Sequence, residues 1–343
     1  MTATQQIPKT LERVSLKNHL VGDVTPELFE VVSEKIADLA NNEVLCSVDY
    51  VQIAAAFTDL MRKDAEIPMP PFAIGDTVGG AVVGTVLDSK SDDFAPGDLV
   101  FSFTGWSTHI VADASRLVKL DRTVVPSPAY YLNQGVTAYH GIVDVAAVGD
   151  GDVVFVSGAA GGVGSLAGQI AKILGARLVI GSAGSDAKAK YLTEELGFDA
   201  AINYKTQDVS AELKRLAPEG ISVFFDVVGG SQFEAAIENA ATGARFALCG
   251  ALSSQVTKDR DMWPRFNLMT AITKNLTIRP FATYHTPEQI DAWNSHFGMW
   301  LGQGKFVFPH TELRGPLTDA PEALRALLAG EYTGNVALEV VSS

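Results

Sequence analysis

Val153-Val154-Phe155-Val156-Ser157-Gly158-Ala159-Ala160-Gly161-Gly162-Val163-Gly164-Ser165 is the stretch from which the fold follows. An apolar, mostly β-branched run stops at a glycine-rich turn. Leu166-Ala167-Gly168-Gln169-Ile170-Ala171-Lys172-Ile173-Leu174 then continues with apolar residues along one helical face. The pattern predicts a strand over 153–157, a tight turn, and a helix over 164–174. Glycines let the backbone turn sharply and let a phosphate approach it. The helix N-terminus points unpaired N–H groups and a positive dipole end at that anion. The spacing Gly158-x-x-Gly161-x-x-Gly164 departs from the dinucleotide signature G-x-G-x-x-G, with Ala160 in place of the middle glycine. Its setting between a strand and a helix is what points to a dinucleotide site.

Outward from the turn, strand and helix alternate. Strands are expected over 177–181, 200–203, 223–228 and 244–249, with helices over 186–196, 210–217 and 233–239 between them. Ser185 is a natural N-cap for the first of those helices. A strand over 276–282 and a helix over 287–302 follow. Such alternation requires right-handed crossovers and a parallel, doubly wound α/β sheet. Upstream the rhythm differs. Residues 1–40 are mixed and polar, and from Val44 to about residue 120 short strands are separated by Gly/Pro turns, which reads as an antiparallel β domain. A helical segment over 129–148 leads into the alternating region, and a helix over 321–328 with a strand over 335–341 is expected to return to the first domain. The boundaries are therefore 1–126 for a substrate domain, 127–309 for a dinucleotide domain and 310–343 for the return.

Composition narrows the function classes. A net charge of −14 argues against nucleic acid, because neutralising phosphates needs clustered Lys and Arg. No apolar run reaches the roughly 18 residues of a membrane span, and the N-terminus carries no basic start or apolar h-region, so no membrane association and no secretory signal are expected. The two cysteines, Cys46 and Cys249, are expected to be reduced core residues of a cytoplasmic protein. Two cysteines cannot form a Cys₄ zinc site, and the six histidines lack ligand spacing, so no metal is expected.

In a doubly wound sheet, ligands bind outside the carboxyl ends of the strands. The candidate loops follow Ser157, Gly181, Val228, Cys249 and Phe281. An acid about 20 residues past the glycine turn would bind the ribose 2′-hydroxyl of NAD. Here the second strand ends Ile180-Gly181-Ser182-Ala183-Gly184-Ser185, with no acid at its tip. Ser185, Lys188 and Tyr204 instead offer hydroxyls and a cation to a 2′-phosphate, while Asp186 keeps NAD open.

These residues carry a resemblance. The glycine turn with Gly168-Gln169-Ile170-Ala171-Lys172 resembles the zinc-free medium-chain dehydrogenase/reductase superfamily. Ala183-Gly184-Ser185-Asp186-x-Lys188, Asn203-Tyr204-Lys205-Thr206, Phe225-Asp226-x-Val228-Gly229-Gly230 and Cys249-Gly250-Ala251 narrow it to the leukotriene B4 dehydrogenase and prostaglandin reductase branch, which includes enone reductases. The resemblance implies a Rossmann domain beside a GroES-like antiparallel β domain completed by the C-terminus. It also implies NADP as cofactor, a homodimer, and reduction of the C=C bond of a small apolar α,β-unsaturated ketone or aldehyde. In that family the positions of Gly161, Gly162, Val163, Gly164 and Ser165 hold the pyrophosphate, and those of Ser185, Lys188 and Tyr204 the 2′-phosphate. Val227, Cys249, Gly250, Ala251, Phe281, Ala282 and Thr283 fall on the family's nicotinamide side.

The chain also departs from the pattern. The family tyrosine beside the nicotinamide is Gln255, whose amide donates a hydrogen bond but is no proton source. The family's Asp-Pro-Tyr-Met-Arg falls on Ala54-Ala55-Ala56-Phe57-Thr58. Hydride transfer to an enone leaves an oxyanion that needs a donor: the Gln255 amide, a ribose hydroxyl of the cofactor, or a phenol from Tyr50, Tyr139 or Tyr284, with Gln255 and Tyr284 the favoured candidates. His285 reads as a surface residue, and His109 and His140 as hydrogen-bonded structural groups. Two other functions compete: a quinone or carbonyl reductase on the same fold, and a non-catalytic NADPH-binding protein.

Overall fold

The computed structural model describes residues 7–65, 69–257, 263–281, 283 and 285–341, with only the backbone of 255–257. The chain divides into two compact units, one comprising Met1–Asn133 with His310–Ser343 and the other Gln134–Pro309.

The first unit is built on a seven-stranded sheet. Glu43–Ile53, eleven residues long, is its organising strand, pairing antiparallel with Val82–Ser89, His109–Asp113 and Asn335–Val340. Its inward positions are Val44, Cys46, Val48, Val51 and Ile53, all nearly sealed from solvent, as one buried face of an antiparallel sheet requires. The C-terminal strand Asn335–Val340 lies between Glu43–Ile53 and His310–Gly315. Thr10–Leu16 and Phe29–Lys35 add a two-stranded sheet that the polar reading of residues 1–40 had not anticipated.

The expected helix over 129–148 resolves into three elements. A 3-10 turn, Pro128–Tyr131, places Ala129 against Ala81, Val83 and Leu99 of the first unit. The helix Gly135–His140 then runs into a π-turn, Gly141–Val145, in the second unit.

The second unit is a six-stranded parallel sheet. Across it the strands run Ala200–Asn203, Leu178–Ala183, Val153–Val156, Ile221–Asp226, Ala240–Leu248 and Thr277–Pro280. In chain order these are the third, second, first, fourth, fifth and sixth, so the order reverses between Val153–Val156 and Ile221–Asp226. That is the switch point at which a doubly wound sheet binds its ligand. The central strands read as continuous apolar runs because both faces are covered. Phe155 stacks on Phe224 with ring centroids 5.1 Å apart, and Phe246 meets Phe224 edge-on at 5.2 Å. Among the described residues no helix is long and apolar enough to cross a membrane.

Candidate nucleotide site

The glycine turn sits at the switch point and is held from below. Gly158 takes a left-handed φ of +59°. Its amide donates to Ser182 Oγ at 3.2 Å, and the Ala159 amide donates to the Ser182 carbonyl at 2.9 Å. Ser182 Oγ in turn donates to Gln232 Oε1 at 2.5 Å. The two later glycines differ in kind. A Cβ on Gly164 would lie 2.5 Å from the Gly158 carbonyl oxygen, so the chain's own packing demands glycine there. A Cβ on Gly161 would meet nothing closer than that oxygen at 3.4 Å. Gly161 is exposed, and a side chain there would narrow the open face of the turn.

The helix Gly164–Ile173 begins here with no side-chain cap. In its first turn the Ser165 amide donates to the Gly161 carbonyl at 3.1 Å, and the Leu166 and Ala167 amides donate to the Val163 carbonyl at 3.2 and 3.0 Å. The Ser165 hydroxyl, buried in that turn, has no hydrogen-bond partner among the described residues. A pyrophosphate fits here, since it brings acceptor oxygens to the orphaned Ser165 hydroxyl at the positive end of a helix.

The neighbouring loop is tied to the turn by a buried carboxylate. Asp226 Oδ1 accepts from Ser157 Oγ at 2.7 Å, the Gly229 amide at 2.8 Å and the Val228 amide at 3.0 Å. Ser157 Oγ accepts from the Val227 amide at 2.8 Å. Burial pushes the Asp226 carboxyl above the usual carboxylate range, against the pull of those donors. The Asp226 carbonyl accepts the amides of Cys249 (2.8 Å) and Gly250 (3.1 Å), and the Leu252 amide donates to the Val227 carbonyl at 3.2 Å. Val227, Cys249, Gly250 and Ala251 are thereby gathered beside the glycine turn. Cys249, expected in the core, is only half-buried by surface exposure, because it sits just past the end of its strand; its surroundings, with the Asp226 carboxylate adding to burial, push the thiol up to about 12.

A second, polar corner forms beyond the strand Leu178–Ala183. Ser185 Oγ accepts from the Lys188 amide at 3.3 Å and caps the helix Asp186–Glu194, which sets Lys188 in the first turn. Tyr204 leaves the adjacent strand with its hydroxyl 3.1 Å from the point where a Gly184 Cβ would stand. Lys205 Cε lies 3.4 Å from the same point. Burial and the nearby Lys205 ammonium both hold Lys188 below the usual lysine range. The Tyr204 hydroxyl and the Lys205 side chain beside Gly184, with Ser185 and Lys188 at the start of the adjoining helix, suit a phosphate monoester. Asp186, the residue that could have favoured NAD, has its Oδ1 engaged by Asn203 Nδ2 at 2.7 Å.

At the far edge, the Phe281 amide donates to the Leu248 carbonyl at 3.2 Å. Its ring meets His140 edge-on with centroids 5.4 Å apart. His285 is half-buried, not a surface residue, because its Nε2 lies 2.9 Å from Thr137 Oγ1. Burial first, and the His140 ring next, hold His285 below the ordinary histidine value. His140 Nδ1 lies 2.7 Å from Asp144 Oδ2 and 2.8 Å from Gln289 Nε2, a structural setting. Thr283 is exposed. Ala282 and Tyr284 lie outside the described residues. Gln255 belongs to the helix Leu252–Thr257, but its side chain is likewise outside. The sequence assigns no role to Ser157, Ser182, Lys205 or Gln232, or to Thr137 as partner of His285, because none of these contacts has a local signature.

Comparison with known proteins follows this geometry. Residues 162–296 match the family described as zinc-binding dehydrogenase, and residues 12–120 match the N-terminal domain of oxidoreductase. A putative NADP-dependent oxidoreductase of Bacillus subtilis, YfmJ, is 34% identical over 99% of this chain and 99% of its own. The tobacco 2-alkenal reductase (NADP(+)-dependent) is 34% identical over 94% of this chain and 95% of its own. Among solved structures, CurA from Vibrio vulnificus in complex with NADPH superposes with a TM-score of 0.88, at 29% identity over 97% of this chain and 100% of that one. The fold and the nucleotide site define an oxidoreductase of the medium-chain dehydrogenase/reductase family, and the chain belongs to it. Within that family it falls in the zinc-independent enone reductase branch. Among the described residues no group of three or more His, Cys, Asp or Glu is placed to hold a metal ion.

Proposed function

We propose that the chain is an NADPH-dependent reductase of the carbon–carbon double bond in α,β-unsaturated aldehydes or ketones. The observation that carries the reading is the two-ended nucleotide site: an orphaned Ser165 hydroxyl at the helix start, and the Ser185–Lys188–Tyr204 corner suited to a 2′-phosphate. The NADP dependence in the names of the Bacillus and tobacco relatives, and the NADPH held by CurA, support the cofactor. The tobacco protein's 2-alkenal activity supports the acceptor class. When bound, the cofactor supplies the hydride for the β-carbon.

The chain's own residues grip, orient and polarise. Gly161, Gly162, Val163, Gly164 and Ser165 hold the pyrophosphate. Ser185, Lys188 and Tyr204 hold the 2′-phosphate. Val227, Cys249, Gly250, Ala251, Phe281, Ala282 and Thr283 flank the nicotinamide end. Gln255 and Tyr284 are the donors assigned to the developing oxyanion.

The working form is a cytoplasmic homodimer, supported by an edge strand and an apolar helix beside it. Thr277–Pro280 ends the parallel sheet, and Leu268, Met269 and Ile272 on the helix Leu268–Thr273 are each more than half exposed. The test of function is NADPH consumption with a panel of 2-alkenals, enones, quinones and saturated ketones. Turnover is expected with the first two. Turnover confined to quinones or saturated ketones refutes the proposal, as does tight NADPH binding with no turnover at all. Gln255→Leu is expected to lower kcat on enones, and an unchanged kcat removes Gln255 from the mechanism.

A further inference from the structure

We infer that Lys205 is a second cation for the 2′-phosphate, and that Asp186 and Asn203 are positioning residues that hold Lys205 in place; the inference rests on the NADP reading above. The geometry is a small closed network. Asn203 ends the strand Ala200–Asn203, is 5% exposed, and organises the turn after it. Its Oδ1 accepts the Lys205 amide at 3.1 Å, and its own amide donates to Gln207 Oε1 at 2.8 Å. Its carbonyl accepts the amides of Thr206 (3.1 Å) and Gln207 (2.9 Å). The remaining polar group, Nδ2, donates to Asp186 Oδ1 at 2.7 Å across 17 residues of chain.

The side-chain amide of Asn203 therefore has one fixed orientation. Nδ2 faces the Asp186 carboxylate, so Oδ1 faces the Lys205 amide. Lys205 is delivered to Gly184 beside the Tyr204 hydroxyl, close enough for its charge to act on Lys188 in the first turn of the helix Asp186–Glu194. Two ammonium groups set side by side repel, and a doubly charged phosphate between them relieves that repulsion. The network also inverts the usual role of an acid at this place. A carboxylate near the ribose ordinarily favours the 2′-hydroxyl and opposes a 2′-phosphate. Here it is engaged by Asn203 and orients the turn that carries the second cation.

Titration calorimetry of the cofactor-free protein with adenosine 2′,5′-bisphosphate and with 5′-AMP tests this. The altered side chains are exposed, so folding is preserved, and far-ultraviolet dichroism checks it. Lys205→Met should weaken the bisphosphate about tenfold and leave 5′-AMP within about twofold, a change of about 1.4 kcal/mol. Asp186 gives a test of sign. Removing a carboxylate near a phosphate should tighten binding if charge alone acts. Positioning predicts that Asp186→Ala weakens the bisphosphate at least threefold, by order of magnitude, while Asp186→Asn, which keeps an acceptor for Asn203 Nδ2, binds no more weakly than wild type. Equal effects of Lys205→Met on both ligands overturn the Lys205 assignment, and tightening by Asp186→Ala overturns the positioning role. If the wild-type protein itself does not prefer the bisphosphate, the NADP reading falls first; a wild-type preference that Lys205→Met leaves intact sinks only this inference.

Discussion

Gly168→Ala is the most instructive single change to the scaffold that carries the glycine turn. Gly168 lies on the helix Gly164–Ile173 with the ring of Phe198 directly above it. A Cβ there would stand 2.0 Å from Phe198 Cζ and 2.4 and 2.7 Å from two other ring carbons. Carbon contacts are comfortable near 3.5–4.0 Å, so the ring or the helix must give by about 1.5 Å. The ring has little room: Phe198 is 3% exposed, and its Cδ1 is only 2.9 Å from where a Gly181 Cβ would be. Overpacking of this kind costs about 1–3 kcal/mol. Alanine returns about 1 kcal/mol of helix propensity. With an overlap this deep the cost sits at the upper end, leaving about 2 kcal/mol of net destabilisation. For a unit of this size that lowers the melting midpoint by roughly 4–8 °C. Thermal unfolding followed by dichroism measures it, with Phe198→Leu as the second background. There the ring is gone, and the same glycine replacement should cost less than about 0.5 kcal/mol, so the two changes couple strongly. An unchanged or raised midpoint for Gly168→Ala, or an identical loss in both backgrounds, refutes the argument that Phe198 dictates this glycine.

Three further outcomes follow from the site. Lys188→Ala should raise the KM for NADPH about tenfold or more, the worth of a charge-assisted hydrogen bond, while the KM for NADH changes little; equal shifts for both cofactors would remove Lys188 from the phosphate. Ser165→Ala deletes a hydroxyl with no partner among the described residues, so the melting midpoint should hold while NADPH affinity, read by fluorescence titration, falls about three- to tenfold. Stability should decline as the pH drops below about 6.5, because His285 is held below that ordinary value in the folded chain and the unfolded chain takes the proton first. His285→Gln should flatten that part of the stability curve, measured by urea unfolding between about pH 7.5 and pH 5.5, and a curve identical to wild type would show that His285 is not the group involved.

The parts of this fold that were legible are those written in short stretches of chain. Apolar run, glycine turn and amphipathic helix follow one another within about twenty residues, and each has its own period. The helix Pro287–Gly302 has its expected bounds, and its start is fixed locally, since Thr286 caps it, Gln289 completes a capping box and Pro287 occupies its first turn. Phe29–Lys35 was missed because most of its side chains are exposed, so no alternation marks it as a strand. The run 129–148 reads as one helix because composition does not distinguish 3-10 and π geometry from α. In the site, the Ser185 cap was legible from its place just before the helix Asp186–Glu194. Thr137 and His285, 148 residues apart, were not, since only the folded sheet brings their loops together. The destination of the Asp186 carboxylate was equally hidden. It depends on Asn203 pairing in register with Ala183, a property of two strands and not of either alone.

The Asp226 hub has a consequence for how such a protein can change over time. The segment after Gly250 is fastened to it chiefly through main-chain bonds: Leu252 amide to Val227 carbonyl, Ser253 amide to Val228 carbonyl, Phe281 amide to Leu248 carbonyl. Main-chain bonds are indifferent to side-chain identity, apart from proline. Side chains on this segment can therefore be exchanged while these main-chain anchors stay intact. Selection, or a library in the laboratory, can explore new acceptors there without unfastening the segment from the glycine turn's neighbour loop. Ser157 and Asp226 have no such freedom, since a single carboxylate oxygen serves three donors at once.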